Sequence, residues 1–207
     1  MRKSILALVV MVSLGAFAQK GSFYVGGQAG YTTTETKVGS TVTSEGSTWS
    51  FSPEVGTFLT NNIQLGVAFN VRGTEDTDDV NNVKDESTYF GGTVYSRYFF
   101  GEGTKAFRPF VGVNAEFLPG NLKRTASFGN SSTVSEADLF RIGANLNAGF
   151  AYSLSSRVAV VGSLGVLGFS SEKESPKNGG VDTKTNSFGF DLNSLGNRFN
   201  IGLYVTL

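Results

Sequence analysis

The chain has 207 residues, and its 17 lysines and arginines balance its 17 aspartates and glutamates, so the formal net charge at pH 7 is zero. There is no basic excess of the kind that binds nucleic acid, and without cysteine the chain cannot form disulfides. It also lacks histidine, the residue that most often serves as general acid or base in enzymes.

The N-terminus has the composition of a secretory signal peptide. Arg2 and Lys3 precede the apolar run ILALVVMVSLG, and the small residues Ala16 and Ala18 follow at the spacing of a cleavage site. The apolar run is shorter than the roughly 20 residues that a membrane-spanning helix needs. We therefore predict a signal peptide over residues 1–18 and one exported domain over residues 19–207. The alternative is a buried or anchoring helix.

Eight segments of the exported domain alternate apolar and polar residues. In chain order they are FYVGGQAGY, WSFSPEVGTFL, IQLGVAFNVR, YFGGTVYSRYFF, FRPFVGVNAEF, FRIGANLNAGFAY, RVAVVGSLGVLGF and RFNIGLYVTL. A period of two indicates β-strands, because successive side chains leave a strand on opposite sides. Most runs have about 10 to 13 residues, which exceeds the roughly 5 to 6 of an ordinary strand and suits the roughly 9 to 11 of a tilted membrane-spanning strand.

The connections between these segments alternate between short and long. The short ones are 60–62, 101–106 and 153–156. The long polar ones are 34–46, 73–87, 118–138 and 170–196, of which the last is predicted to be a flexible loop. This alternation is typical of barrels with turns on the periplasmic side. We predict an all-β fold: an eight-stranded antiparallel up-and-down transmembrane β-barrel with short periplasmic turns and four long extracellular loops.

Lysine and glycine indicate which face of this barrel meets lipid. No lysine falls inside the eight segments, although a wall facing water would carry lysine freely. Most glycines lie on the polar face, whereas Gly27, Gly92, Gly162 and Gly168 are assigned to the apolar face. Because a narrow barrel needs small residues inside, we predict a polar lumen and an apolar surface against hydrocarbon. A water-soluble carrier with the opposite orientation is the alternative.

Aromatic residues near the segment ends are predicted to form girdles at the two membrane interfaces. They are Phe23, Tyr31, Trp49, Phe99, Phe100, Phe107, Phe117 and Tyr152.

Three stretches resemble the small outer-membrane β-barrel proteins of Gram-negative bacteria: SFSPEVGTFLTNNIQLGVAF, YFFGEGTKAFRPFVGVNAEF and FGFDLNSLGNRFNIGLYVTL. The resemblance is closest to the porin-like outer membrane protein beta-barrel family, which shares its architecture with the transmembrane domain of outer membrane protein A. It implies a monomer in the cell outer membrane, in contact with lipid and lipopolysaccharide. It also implies a C-terminal strand that the barrel-assembly machinery reads; members usually end on phenylalanine, and Leu207 departs from this pattern.

A few charged residues lie on the face predicted to line the lumen. They are Glu54, Arg97, Arg108, Glu116 and Arg141, with Arg72 and Arg198 nearer an end. Buried charges are tolerated when they are paired. One interpretation is a network of internal salt bridges, since eight strands enclose a space just wide enough for side chains. The other is a gated ion path that opens when the charges exchange partners.

The acidic connection GTEDTDDVNNVKDES concentrates six carboxylates: Glu75, Asp76, Asp78, Asp79, Asp85 and Glu86. A divalent cation bridging lipopolysaccharide phosphates is one interpretation. The segment lacks the glycine and the terminal glutamate of a dedicated calcium loop, so we interpret it as a solvated acidic loop.

Together these features predict a structural or surface-interaction component of the Gram-negative outer membrane with a side-chain-filled interior. The first alternative is a narrow, low-conductance porin-like channel. The second is an outer-membrane lipid-modifying enzyme, for which the chain offers neither a histidine beside a serine nor a G-x-S-x-G elbow. No catalytic residue, cofactor or metal site is predicted.

Overall fold

The computed structural model describes residues 21–129, 131–190 and 200–207. The predicted signal peptide and the first two residues of the last predicted strand, Arg198 and Phe199, therefore lie outside the described residues. The described part of the chain contains nine strands: β1 (Phe23–Val38), β2 (Thr41–Phe58), β3 (Ile63–Asp78), β4 (Val83–Phe99), β5 (Phe107–Phe128), β6 (Ser131–Ser153), β7 (Val158–Pro176), β8 (Thr183–Phe190) and β9 (Asn200–Thr206). None of these residues forms a helix that is long and apolar enough to cross a membrane.

The strands form one antiparallel sheet that closes on itself. Each of β1 to β6 pairs with the next strand along the chain, and β9 pairs with both β7 and β1. β8 pairs with β7 from Leu167 to Glu174, and β9 pairs with it from Val158 to Ser163. The ring thus has eight positions, the last shared by β8 and β9, and the predicted eight-stranded up-and-down barrel is confirmed.

The two ends of the barrel differ in their connections. At one, the turn end, short connections join β2 to β3, β4 to β5 and β6 to β7, and Gly21 and Leu207 bond to the adjoining strands there. At the other, the hairpin end, the strands continue as four hairpins, which we call ribbons, and β5 and β6 reach 22 and 23 residues. Neighbouring ribbons stay paired with each other, through β2 and β3, β4 and β5, and β6 and β7. Left-handed backbone at Gly39, Gly129 and Gly179, which glycine adopts readily, turns three of these ribbons.

The four long polar connections therefore gather at one end, and much of their length is strand. β7 and β8 cover residues 170–176 and 183–190 of the connection interpreted from sequence as a flexible loop. The cross-strand register continues without a break from the wall into this ribbon. Both faces of a ribbon meet water beyond the wall, so hydrophobic alternation, the main sequence signal for a strand, is absent there.

The apolar stripe lies outside the barrel and the polar stripe inside. Val55, Val67 and Phe69 are 50–52% exposed, whereas the inward-pointing Glu54 and Arg97 are each 4% exposed. The predicted orientation is confirmed. The soluble-carrier alternative requires an apolar interior facing a polar exterior, and this arrangement contradicts it.

Two predictions about faces are wrong. Phe99, assigned to an aromatic girdle, points into the lumen and is 3% exposed, because it continues the inward-facing period of Arg97 on β4. Gly168 faces the lumen beside Asn145, because a bulge in β7 inserts Val166 and changes which side chains point inward. The remaining girdle residues are exposed on the outer surface: Phe23, Tyr31, Trp49, Phe100, Phe107, Phe117 and Tyr152.

Glycines on the inner face make room for large side chains. A Cβ atom at Gly56 or Gly66 would collide with the Tyr24 hydroxyl, and one at Gly26 would collide with the Tyr204 ring. This packing explains why glycine accumulates on the polar face, where small residues must alternate with large ones. The aromatic residues it accommodates form a cluster at the turn end with Val161; they are Tyr24, Tyr95, Phe99, Phe110 and Tyr204.

Candidate functional site in the barrel lumen

A layer of buried polar side chains crosses the lumen near the turn end. We call this layer the plug; its members are Tyr24, Glu54, Gln64, Tyr95, Arg97 and Tyr204, and each is at most 5% exposed. They come from β1, β2, β3, β4 and β9. Each points inward because it holds an inward position in the period of two of its strand. Five of the eight wall positions thus contribute to one layer.

Arg97 lies at the centre of the plug. Its Nη2 donates to Glu54 Oε2 at 3.1 Å, and its Nη1 donates to Gln64 Oε1 at 3.2 Å and to the Tyr204 hydroxyl at 3.0 Å. Its guanidinium carbon lies 4.2 Å from the centre of the Tyr95 ring, which is a cation–π distance. One cation therefore links four strands across the lumen.

Tyrosine hydroxyls complete the network. Tyr204 donates to the Glu54 carboxylate and accepts from Gln28 Nε2 at 2.8 Å. The hydroxyls of Tyr24 and Tyr95 bond to each other. Both carboxylate oxygens of Glu54 therefore have a donor, which is the condition under which a buried charge is tolerated.

The net contribution of this buried ion pair to stability is small compared with the cost of breaking it. Removing two charges from water offsets most of their attraction, so an apolar pair of similar volume is often as stable. Losing one partner alone is costly, about 3 to 5 kcal/mol, because the other charge is left buried. The side chains of Glu54 and Arg97 are 2% and 5% exposed, so this pair is shielded from solvent on every side.

A second charged layer lies nearer the hairpin end. Arg141 Nε donates to Glu116 Oε1 at 3.2 Å, and Arg141 Nη1 lies 4.0 Å from Glu172 Oε2. The Tyr89 hydroxyl donates to the same Glu172 oxygen at 3.0 Å. The side chains of Arg141 and Glu172 are 31% and 33% exposed, so solvent reaches this layer.

A polar cavity of about 650 Å³ adjoins both layers. Asn70 accepts from the Ser52 hydroxyl at 2.7 Å and donates to Thr93 at 2.7 Å, while Asn114 Nδ2 donates to Asn145 Oδ1 at 2.9 Å. The cavity is lined by these residues, both ion pairs, Gln28, Arg72, Asn147 and Ser163, among others. Polar side chains thus make up most of the cavity lining.

Of the five charged residues predicted for the lumen, four form the two ion pairs just described. The fifth, Arg108, lies at the turn end, where its Nη2 donates to the carbonyl of Asn61 at 2.8 Å. Its guanidinium carbon lies 5.0 Å from the centre of the Phe99 ring. Arg108 therefore joins neither pair.

Sequence reasoning missed the uncharged members of the plug. Tyr24 and Tyr204 lie beside outward-facing Phe23 and Leu203 in the chain, and their opposite orientation follows from the period of two. The available signal was the presence of large aromatic residues on a face otherwise rich in glycine. Only their contacts across the lumen reveal that they share one site with Arg97.

The acidic segment 73–87 forms most of the β3–β4 ribbon. Lys84 Nζ lies 2.9 Å from Glu75 and 3.3 Å from Glu86, and the hydrogen bond to Glu75 raises the pKa of Lys84. Arg124 of the neighbouring ribbon pairs with Asp85 at 2.7 Å. Basic side chains thus accompany the carboxylates of this surface.

Comparison with known proteins agrees with this architecture. The family model described as outer membrane protein beta-barrel domain matches residues 4–202. No curated protein matches the chain in sequence. Among solved structures, the outer membrane protein OprG from Pseudomonas aeruginosa is 14% identical with a TM-score of 0.52, over 91% of this chain and 97% of that one.

Two further structures align over most of their length with lower scores. Neisserial surface protein A is 16% identical, with a TM-score of 0.41 over 93% of this chain and 99% of that one. Ail, the attachment invasion locus protein of Yersinia pestis, is 14% identical, with a TM-score of 0.35 over 91% and 95%. At these identities, the similarity to OprG shows a shared fold.

Proposed function

Because the chain belongs to the outer membrane protein beta-barrel domain family, and is therefore an outer-membrane protein, we propose that it is a structural and surface-interaction component of the Gram-negative outer membrane whose lumen is closed. The observation that carries this proposal is the plug. Its six side chains come from five strands and are almost completely shielded from solvent. An eight-stranded barrel has an interior just wide enough for such side chains.

The hydrogen bonds of the plug support a lumen that stays closed. Arg97 is held by three acceptors and by the Tyr95 ring, so it can leave the axis only if these contacts break together. Glu54 keeps a second donor in Tyr204. An ion that entered would have to replace these contacts inside a buried site.

The extracellular ribbons supply the interaction surface of the proposal. Each ribbon exposes an apolar side chain near its tip; these are Val38, Val80, Phe128 and Val181, which are 68–88% exposed. Loops held by a rigid scaffold are common sites of contact with other molecules. We propose that these tips contact apolar surfaces outside the cell.

We also propose that the wall contacts lipid and lipopolysaccharide, that the barrel-assembly machinery inserts the chain, and that it functions as a monomer. Ring closure supports the last point, because β9 is paired on both sides, with β7 and with β1. A strand paired on both edges offers no template for another chain. No catalytic role is proposed, since the chain has neither histidine nor cysteine.

Single-channel recording in planar bilayers tests the closed lumen. We expect the folded protein to produce no conductance above that of the lipid, because the plug blocks the lumen. Arg97→Met paired with Glu54→Gln, which keeps the plug filled without charge, should be equally silent. Steady channels from the wild-type protein would contradict the proposal.

Adhesion of expressing cells to a hydrophobic abiotic surface tests the role of the tips. Replacing the four tip residues by serine should reduce adhesion severalfold. Thr33→Ser with Thr77→Ser is the control, because it also introduces serine in the ribbons but removes no apolar tip. This variant should adhere like the wild type. Unchanged adhesion of the tip variant would remove the apolar tips from the proposal.

The cavity supports a second candidate, a narrow low-conductance channel. It adjoins the plug, so the plug and the aromatic cluster at the turn end separate a polar, solvent-accessible chamber from the periplasmic end. If the protein conducts, channels that are lost or altered on replacing Arg97 or Glu116 would identify this route. Conductance indifferent to both residues would place the current outside the lumen.

A further inference from the structure

The barrel closes where its last strand pairs with its first. β9 has 7 residues, and Ile201–Thr206 pair with Tyr24–Ala29 of β1; we call this pairing the seam. On its other edge, β1 pairs with β2 along its whole length, from Phe23 to Val38. Among the described residues, the seam is therefore the shorter of the two pairings of β1, and it joins the two ends of the chain.

Tyr204 extends from this short strand into the plug. It is 5% exposed, and its hydroxyl donates to the Glu54 carboxylate on β2. The same hydroxyl accepts from Arg97 Nη1 on β4 at 3.0 Å and from Gln28 Nε2 on β1 at 2.8 Å. A hydroxyl donates one hydrogen bond and can accept two, so its full capacity is used. One side-chain atom thus connects β9 to three other strands.

A further hydrogen bond passes over β9 inside the lumen. Gln28 Oε1 accepts from the Ser163 hydroxyl at 3.2 Å, so β1 and β7, the two strands that flank β9, are connected directly. Gly202 of β9 is the register partner of Gln28, and a Cβ there would come within 2.8 Å of Gln28 Cγ. The side chain of Gln28 therefore crosses β9 at a glycine and reaches both Ser163 and Tyr204.

The contacts of Tyr204 join segments that are far apart in the chain. Gln28 and Tyr204 are 176 residues apart, and Glu54 and Tyr204 are 150 apart. Each of β1 to β6, in contrast, pairs with the next strand along the chain. Bringing distant segments together costs more loop-closure entropy than joining neighbours. The seam should therefore form after the other wall pairings and open before them.

We propose that Tyr204 is the latch of the barrel: its hydroxyl holds β9 in place from inside the lumen, and the ring opens at the seam when these hydrogen bonds break. The plug and the closed wall then depend on the same side chain. This proposal goes beyond the proposed function and does not rest on it, because a silent barrel and a conducting barrel both need a closed ring.

Folding and unfolding rates of the mature barrel in dilauroylphosphatidylcholine vesicles test the latch. Tyr204→Phe keeps the ring and removes the hydroxyl. It should speed unfolding in urea about tenfold and change the folding rate less than about twofold, because contacts that form after the transition state act on the unfolding rate. Tyr98→Phe, which removes an exposed hydroxyl from the outer face of β4, should change neither rate.

Disulfide staples distinguish a latch from a general loss of stability. The chain has no cysteine, and paired residues of antiparallel strands lie within disulfide distance. Val25→Cys with Val205→Cys staples the seam; Val55→Cys with Val67→Cys, also a valine pair in register, staples β2 to β3 as the matched control. Adding Tyr204→Phe should no longer speed unfolding of the oxidised seam-stapled barrel. In the control staple, and after reduction of either staple, its full effect should remain.

The staples also test the seam if Tyr204→Phe does not fold. In the otherwise unchanged barrel, the oxidised seam staple should slow unfolding severalfold, and the control staple should not; thiol labelling confirms that each staple has formed. The proposal is overturned if Tyr204→Phe unfolds at the wild-type rate or mainly slows folding. It is also overturned if this substitution speeds unfolding equally in both stapled barrels, or if the two staples slow unfolding equally.

Discussion

At the scale of single residues, the plug depends on Arg97 keeping its carboxylate partner. Arg97→Ala removes the cation and leaves Glu54 buried at 4% exposure. Breaking one side of a buried ion pair costs about 3 to 5 kcal/mol, so we expect the free energy of unfolding to fall by that amount. Urea unfolding in lipid vesicles, followed by the fluorescence of Trp49, the single tryptophan, measures the change.

A double variant separates the uncompensated charge from lost packing. Glu54→Gln with Arg97→Met removes both charges while keeping most of the volume, and it should recover most of the stability that Arg97→Ala loses. Arg157→Ala, at an exposed turn, is the matched control and should change stability little. Equal losses in the single and the double variant would assign the effect to packing alone.

A second prediction at this scale concerns the glycines that make room for aromatic side chains in the lumen. A Cβ at Gly56 would meet the Tyr24 hydroxyl and the backbone carbonyl of Leu65. Because the backbone cannot yield as a side-chain end can, we expect Gly56→Ala to cost about 1 to 3 kcal/mol through overpacking. The same unfolding assay measures it.

Gly92→Ala is the control for this substitution. Gly92 lies on β4, two strands away in the same wall, and the nearest atom to its added Cβ is the carbonyl oxygen of Ala68 at 3.8 Å, an ordinary contact. Gly92→Ala should therefore be neutral or stabilising, since alanine restricts the unfolded chain. If both substitutions cost the same, the close approach at Gly56 does not limit stability.

At this scale the sequence predicts which charges point inward but not how they meet. Alternation alone assigned Glu54 and Arg97 to the lumen, yet they lie on β2 and β4, with β3 between them. Their contact depends on the curvature of the wall, which brings alternate strands together across a narrow lumen. Arg108 satisfies the same alternation but lies too near the turn end to join them.

At the scale of elements, the turn of the β3–β4 ribbon has a charge-dependent cap. Asp78 Oδ1 accepts from the backbone N–H groups of Val80 and Asn81 at 3.0 Å each, and its Oδ2 accepts from the Asn81 side chain at 2.7 Å. The side-chain bond from Asn81, followed by the backbone bonds, lowers the pKa of Asp78. The carboxylate form therefore favours the closed turn.

The sign of the pH effect follows from this depressed pKa. Asp78 stabilises the turn above the unfolded value of about 3.9, and this contribution is lost as the pH falls through the lower folded value. We expect hydrogen exchange at Val80 and Asn81, corrected for intrinsic rates, to accelerate as the pH falls from about 5 to 2. In Asp78→Asn this acceleration should vanish; if it persists, another group opens the turn.

The strands were predictable where their two faces meet different surroundings. Val67 and Phe69 face outward and Ala68 faces inward, and the alternation reveals the strand directly. The ribbons lack this contrast because water lies on both sides, so their strand structure could not be recognised. The bulge at Val166 was hidden for another reason: the apolar run of β7 has no polar residue there to mark the change of phase.

At the scale of the whole molecule, the barrel is polarised along its axis. The plug at the turn end is dry, the second charged layer and the cavity are wet, and the ribbons extend beyond the wall. Any role of the lumen is thus directed to the extracellular side. This arrangement also requires the apolar outer surface of the wall to lie in hydrocarbon, between water at the turn end and water at the hairpin end. Placing one charge on the wall and the same charge at a ribbon tip tests this requirement.

Val67→Arg places a cation on the outer surface of β3, where Val67 is 51% exposed and is paired with the outward-facing Val55 and Val94. If this surface faces hydrocarbon, the arginine should cost about 2 to 4 kcal/mol, as at the midplane of other transmembrane barrels. Val38→Arg places the same charge at a ribbon tip, where Val38 is 70% exposed, and should cost nothing measurable. Urea titrations in lipid vesicles compare both variants with the wild type.

The comparison isolates the surroundings from the substitution itself. Both valines are exposed in the protein alone, so neither variant creates a cavity or an overpacked core, and solvent exposure alone would predict two harmless changes. Only a lipid environment around Val67 makes Val67→Arg lower the free energy of unfolding, since a charge in hydrocarbon loses its hydration. Equal, small effects at the two positions would mean that the apolar stripe is not covered by lipid, and the outer-membrane arrangement of this barrel would have to be abandoned.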